Sequence, residues 1–188
     1  MKKRLFLFVI FFLWMTPAIN SFAGTTSTMI LPVHAARIYG SYITNSARID
    51  GTSASWNLLF STTQTESATW MFRMPTNYSS ALSAKLIYTM ASATSGNVDL
   101  EVEVMALTVG ESDPDTASFD AVNEVSGGTA VPGTAGIIDE ISITLTNADS
   151  VAANDLVIIR VNRDHDDADD TATGDLELRA FSLEYTTN

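Results

Sequence analysis

The stretch VDLEVEVMAL, residues 98–107, decides the fold because its apolar and acidic side chains alternate. Every second residue from Val98 to Val104 is apolar, and each residue between them is an aspartate or a glutamate. Successive side chains of a β-strand point to opposite faces of the sheet. The pattern therefore predicts a strand with one face in a core and one face in water.

Strands also dominate the rest of the chain. Thr, Ser, Val and Ile are abundant, and no stretch after residue 23 keeps an apolar stripe at helical spacing for three turns. The candidate strands are residues 37–43, 56–60, 69–74, 84–91, 98–109, 141–146, 155–161 and 175–185. This spacing predicts an all-β chain folded as a single antiparallel β-sandwich or jelly roll of about eight strands.

Two strands allow finer predictions. The run LVIIRV, residues 156–161, is apolar on both sides except at Arg160, which is typical of a central strand covered on both faces. One cover would be the other sheet, and the second a neighbouring subunit or a loop. In residues 175–185 the apolar side chains change parity at Ala180, which predicts a β-bulge there.

Residues 110–136 form a long, glycine-rich excursion between two predicted strands. The segment is too long for an ordinary hairpin loop. We expect it to pass over one end of the sandwich, with a helical turn from Ser118 to Glu124. It is also the intramolecular alternative to a subunit as cover for residues 156–161.

The first 23 residues have the composition of a secretory signal. Three cations, Lys2, Lys3 and Arg4, precede a short apolar run, and Ala23 ends an arrangement of small residues. The predicted organisation is a signal peptide at 1–23, an N-terminal arm with a first strand at 24–48, and a β-sandwich domain at 49–188. A secreted protein follows, extracellular, at the cell surface or periplasmic, with no membrane insertion after the signal is removed. A retained signal-anchor is the alternative.

Charge and cysteine content exclude several classes of function. Without the three signal cations, seven Lys and Arg face 22 Asp and Glu, so the net charge is 7 − 22 = −15. Such a charge repels nucleic acid and favours solubility or cation binding. Because the chain has no cysteine, neither disulfides nor thiol chemistry is available.

The order of the predicted strands resembles a known class of proteins. The segments RIDGTSASWNLLF (48–60), WMFRMPTNYSS (70–80), GNVDLEVEV (96–104), TNADSVAANDLVIIRVNRD (146–164) and TGDLELRAFSLEYT (173–186) carry the resemblance. It is to the β-sandwich proteins of tailed-phage structural gene clusters and their environmental relatives. The resemblance implies a structural, often oligomeric subunit with no catalytic residues, and a trimer is the assembly it favours. In the AAND turn the related pattern has glycine where this chain has Asn154, which can take the same left-handed conformation.

Six of the twelve residues from Asp164 to Asp175 are aspartates. Neither register of the loop matches an EF-hand, because the required glycine and distal glutamate are missing. An irregular Ca²⁺ cage is one interpretation, and a solvated hairpin loop ending at Gly174 is the other. Zinc at His165 is disfavoured, because the chain lacks cysteine and the other histidine, His34, is far away in sequence. The oxygen ligands of the calcium interpretation would be Asp164, Asp166, Asp167, Asp169 and Asp170.

A glycan site is the remaining candidate for binding chemistry. In RMPTNYSS, residues 73–80, the side chains of Arg73, Asn77 and Tyr78 form a possible sugar-contacting patch. The alternative is a strand exit at Pro75 with Tyr78 as a packing lid. For Trp56 and Trp70, which lie in strand-like segments, we expect core packing rather than a sugar platform.

No catalytic constellation is recognisable in the sequence. A serine and His165 beside an aspartate carry no G-x-S-x-G motif, and the many carboxylates lack an aromatic-lined cleft. The sequence thus predicts a secreted, non-enzymatic β-sandwich subunit for structural or surface assembly, a homo-oligomer without a cofactor. A carbohydrate-binding or adhesive module for a surface glycan, stabilised by Ca²⁺ in one form of the hypothesis, is the alternative.

Overall fold

The computed structural model of the protein describes residues 24–39, 44–50 and 53–188. The predicted signal peptide lies outside these residues. Within them the secondary structure is β, apart from one 3-10 turn at Val33–Ala35. In chain order the strands are β1 (Thr26–Leu31), β2 (Arg37–Tyr39), β3 (Thr44–Asp50), β4 (Ser53–Phe60), β5 (Glu66–Arg73), β6 (Tyr78–Met90), β7 (Asn97–Val98), β8 (Leu100–Leu107), β9 (Thr129–Ala130), β10 (Asp139–Thr144), β11 (Leu156–Arg163) and β12 (Leu176–Thr187).

The strands form two main antiparallel sheets that pack face to face. The larger sheet has the order β10-β6-β12-β4-β3, and β1 also pairs with β12. The smaller sheet has the order β2-β5-β11-β8, and β7 pairs with β9 in a two-stranded ribbon. The prediction of an all-β antiparallel sandwich is confirmed, and the segment expected to be an N-terminal arm supplies β1 to the larger sheet.

Strand β11 is central in the smaller sheet, as its two-sided apolar pattern predicts. Its Val161 is in register with Ala68 of β5 and Val102 of β8, and all three side chains are fully buried. The two sheets meet where Trp70 of β5 packs against Phe181 of β12, with ring centroids 4.8 Å apart and tilted by 59°. Tilted rings at this distance are a favourable aromatic geometry.

The predicted bulge is present in β12. The register with β6 shifts between Leu178 and Ala180, so Arg179 is the extra residue. Strand β12 pairs with β4 up to Leu178 and with β1 from Phe181 onward. On this side of β12 the larger sheet is therefore interrupted between β4 and the end of β1.

The excursion of residues 110–136 covers the edge of the smaller sheet rather than one end of the sandwich. The N–H of Asp120 donates to the carbonyl of Val104, and Asn123 exchanges two backbone hydrogen bonds with Val102. The expected helical turn from Ser118 to Glu124 is wrong, because this backbone pairs with β8 instead. The guanidinium carbon of Arg160 lies 4.2 Å from the ring centroid of Phe119, so the excursion covers the outer face of β11 at Arg160.

The described part of the chain contains no helix with the length and apolar character needed to cross a membrane.

Candidate functional site

A surface cleft of about 630 Å³ lies beside the bulge of β12. Its walls come from the end of β1, the 3-10 turn, Trp56 of β4, the bulge of β12, and Gly136 and Ile138 before β10. The cleft exists because β12 leaves β4 at Leu178 and joins β1 only at Phe181. This volume is within the usual range of small-ligand sites, about 300–1,000 Å³.

Large apolar side chains around the cleft are exposed to water. Trp56 is 56% exposed, Ile30 is 73% exposed and Ile138 is 68% exposed. Single exposed apolar residues are ordinary on protein surfaces, but three around one depression form a patch. Such a patch is typical of a surface that binds a ligand or another protein.

The polar groups of the cleft belong to one hydrogen-bonded set. Arg179 donates from Nε to Thr89 Oγ1 at 3.1 Å and from a terminal nitrogen to Glu177 Oε2. The Thr89 hydroxyl donates to the same Glu177 oxygen at 2.7 Å. Arg179 and Thr89 line the cleft, whereas Glu177 is 4% exposed and orients both. The cleft thus combines an indole ring with a guanidinium whose orientation is fixed by a buried carboxylate.

The two tryptophans of the described chain have different environments. Trp70 is in the core, as expected, and its Nε1 donates to the carbonyl of Pro32 at 2.9 Å. The expectation of core packing is wrong for Trp56. Although Trp56 shares its parity with the buried Leu58 and Phe60, pairing of β4 with β12 ends at Leu58. Beyond Leu58 this edge of β4 borders the cleft, and the Trp56 ring is largely exposed there.

The predicted glycan patch is divided between two sheets. Arg73 ends β5 and donates from Nε to the carbonyl of Asn154 at 3.1 Å. Tyr78 begins β6 and is half-buried against Tyr185, with ring centroids 6.0 Å apart. Burial raises the pKa of the Tyr78 phenol. Asn77 is exposed, and its carbonyl accepts a hydrogen bond from the N–H of Asn188. This environment agrees with the packing-lid interpretation of Tyr78, and the sugar-contacting role stays a prediction.

In the acidic loop, Asp170 forms a buried ion pair with Arg163. Both carboxylate oxygens of Asp170 accept hydrogen bonds of 2.8 Å from the guanidinium, and neither side chain is more than 2% exposed. Arg163 also donates to the carbonyls of Gly174 at 2.7 Å and Ala172 at 3.0 Å. The solvated-hairpin interpretation is therefore wrong at Asp170. Its charge neutralises a cation inside the sandwich.

The other four predicted calcium ligands lie nearer the surface. Asp164 Oδ1 accepts from the N–H of Asp166, and Asp167 Oδ1 accepts from the N–H of Asp169, which are local turn contacts. Asp166 is 83% exposed beside His165. Among the described residues, a group of three acidic side chains with oxygens within 4.8 Å of one another is found instead at Asp99, Glu101 and Glu124. Calcium binding by the loop aspartates stays a prediction.

Sequence reasoning missed Arg163, Arg179 and Glu177. A signal for Arg163 was present, because it has the same parity in β11 as the buried Val157, Ile159 and Val161. For Glu177 and Arg179 no such signal exists, since the bulge that brings them to the cleft shifts the parity at that point.

No protein-family model and no curated protein matches the chain. Among solved structures, the fold is similar to a family 35 carbohydrate binding module from Clostridium thermocellum. That match has a TM-score of 0.50 and 13% identity, and it covers 84% of this chain and 97% of that one. At this identity the likeness shows the fold alone, a β-sandwich of the jelly-roll type.

Two further solved structures match the chain with TM-scores below 0.5. One is the CBM22-1 xylan-binding domain from Paenibacillus barcinonensis Xyn10C, with a TM-score of 0.47, 11% identity, and coverage of 88% of this chain and 97% of that one. The other is the infectious bursal disease virus Gx strain, with a TM-score of 0.42, 11% identity, and coverage of 87% of this chain and 32% of that one.

Proposed function

We propose that the protein is a non-enzymatic carbohydrate-binding module and that the cleft beside the β12 bulge holds the glycan. The observation that carries the proposal is that the exposed indole of Trp56 and the oriented guanidinium of Arg179 line the same cleft. A pyranose ring offers an apolar face of C–H groups and an edge of hydroxyls. The indole supplies a flat apolar surface for the first, and Arg179 supplies hydrogen-bond donors for the second.

The similar fold of the Clostridium thermocellum module is compatible with this role, since that protein is a carbohydrate binding module. Charge favours a neutral glycan as the ligand. The chain has a formal net charge of −12, which disfavours polymers rich in uronic acid or sulfate. A secreted location, predicted from residues 1–23, would bring the cleft into contact with such polymers.

Isothermal titration calorimetry of the purified protein with neutral and acidic soluble polysaccharides tests the proposal. We expect binding to at least one neutral polymer and about a tenfold or larger loss of affinity in Trp56→Ala, since tryptophans dominate binding energy where they are buried by a ligand. The matched control is Met71→Ala, which removes a 60% exposed apolar side chain from the smaller sheet.

The control variant should bind like the parent, and both variants should melt within about 1–2 °C of it, as expected for surface substitutions. No binding to any polymer, or equal affinity of Trp56→Ala and the parent, would refute a glycan site in this cleft.

The second candidate function is a self-assembling structural subunit. It is favoured by Met71, which is exposed beside the half-buried Ile158 on the outer face of the smaller sheet. A specific interface buries about 1,000 Å² or more, so it would need more of this face than these two side chains. Light scattering across a hundredfold dilution distinguishes the functions. A trimer mass that Met71→Asp reduces to a monomer supports assembly, and a monomer at all concentrations refutes it.

A further inference from the structure

Three carboxylates from two separate segments converge beside β8. Asp99 immediately precedes β8, Glu101 lies on it, and Glu124 belongs to the returning excursion. One ligand oxygen of each lies within 4.8 Å of those of the other two. Two oxygens bound to one Ca²⁺ at about 2.4 Å each can be at most about 4.8 Å apart, so the three fit a single ion.

The backbone holds these carboxylates together against their mutual repulsion. Asn123 bonds with β8 through its backbone and also donates from Nδ2 to the carbonyl of Val102 at 3.0 Å. That anchor fixes the position of Glu124. The N–H of Asp99 donates to Asp170 Oδ2 at 3.1 Å, which ties Asp99 to the buried Arg163–Asp170 pair. Asp99 is thus held in the edge of the core, Glu101 is half-buried beside it, and exposed Glu124 is placed by the anchored Asn123.

A second observation points to a missing ligand. Asp99 is 2% exposed, and its Oδ2 is buried without a hydrogen-bond partner among the described residues. A buried carboxylate oxygen left unpaired costs free energy that proteins normally recover with a donor or a metal ion. Here the charged groups that act on Asp99 are the carboxylates of Glu124, Asp167, Glu101 and Asp170.

We propose that Asp99, Glu101 and Glu124 form a divalent-cation site that fastens the returning excursion to β8. The all-oxygen donor set fits Ca²⁺. The carboxylates carry three negative charges, and water or backbone oxygens complete the six to eight ligands that Ca²⁺ takes. This site is distinct from the glycan cleft, so its existence does not depend on the proposed function.

Burial and crowding shift the pKa values of two of these carboxyl groups. Burial, together with Glu124, Asp167, Glu101 and Asp170, raises the pKa of Asp99 to about 7. Burial also raises the pKa of Glu101, with help from Asp164, Glu103 and Glu124 and against a hydrogen bond from Asn162. A carboxyl group with a raised folded-state pKa stabilises the fold at low pH and loses that contribution as the pH rises through its folded pKa.

Thermal melting at pH 8, with EDTA or with 2 mM CaCl₂ or MgCl₂, tests the site. We expect Ca²⁺ to raise the melting temperature of the parent by about 5 °C or more over EDTA, and Mg²⁺ to raise it less. Asp99→Asn and Glu124→Gln should lose most of that rise. In EDTA both variants should melt at or above the parent temperature, because each removes one of the repelling charges.

Two controls locate the ion. Glu111→Gln removes an exposed charge elsewhere on the same excursion, and Asp166→Asn removes one from the acidic loop. Both should keep the full Ca²⁺ response. The proposal is overturned if no divalent ion shifts the parent, if Glu124→Gln keeps the parent's shift, or if Asp166→Asn alone abolishes it.

Discussion

Two arginine–carboxylate pairs of this protein use the same chemistry at different depths. The guanidinium of Arg163 is fully buried, and the groups it reaches are Asp170 and backbone carbonyls within the sandwich. The guanidinium of Arg179 is 22% exposed and lines a cleft, while its partner Glu177 is buried beneath it. The first pair stabilises the interior of the sandwich, and the second presents a charged group to solvent.

The difference shows how burial separates a structural ion pair from a binding group. A buried pair has no capacity left for a ligand, and its value lies in preventing an unpaired charge inside the protein. A pair with one exposed member leaves that member pre-oriented, which lowers the entropy cost of binding. Substitutions in the two pairs should therefore differ in both stability and binding.

The largest effect is expected for Asp170→Asn. Removal of this charge leaves the Arg163 guanidinium buried without its counter-ion, which should cost about 3–5 kcal/mol of unfolding free energy. Urea unfolding measures it, with Glu111→Gln as the control for loss of one acidic charge. In a double-mutant cycle with Arg163→Met, the two substitutions should be non-additive by at least about 1 kcal/mol. Additive costs would contradict a direct pair.

A smaller cost, about 1–3 kcal/mol, is expected for Arg179→Ala. Glu177 keeps its hydrogen bond from Thr89 but loses the cation. Restoring neutrality with Glu177→Gln in the same chain should recover part of the stability. Glycan affinity should stay low in this double variant, because the missing donor is not replaced. Recovery of both stability and affinity would show that Arg179 acts on the fold alone.

Some features of this structure could be predicted from the sequence, and others could not. The alternation in residues 98–107, the central position of β11, the bulge near Ala180 and the left-handed Asn154, whose φ is 74°, follow from local patterns. The cleft does not, because it depends on where β12 changes partner from β4 to β1. That change is a property of three strands distant in sequence.

Pairings across the fold explain the other differences. Strand β1 has only one buried residue, Leu31, so its sequence carries little apolar signal, and backbone pairing with β12 defines it. Glu124 reaches the carboxylates of β8 because the neighbouring Asn123 pairs with Val102. No spacing in the sequence predicts this pairing. The sequence left a Ca²⁺ cage in the acidic loop open as one of two interpretations, whereas the structure brings three other carboxylates together.

The smallest effect is expected within the acidic loop itself, for Asp166→Asn and Asp169→Asn. Both side chains are exposed, and the side chain of Asp166 lies 3.1 Å from His165 Nε2, an ion pair only when the imidazole is protonated. An exposed pair contributes little, so each substitution should change the unfolding free energy by less than about 0.5 kcal/mol. Urea unfolding at pH 8 measures both variants. Asp170→Asn in the same loop is the matched comparison, since it alters the same chemical group four residues from Asp166. A cost for Asp166→Asn comparable with that of Asp170→Asn would mean that the loop acts as one unit and that burial does not separate its aspartates.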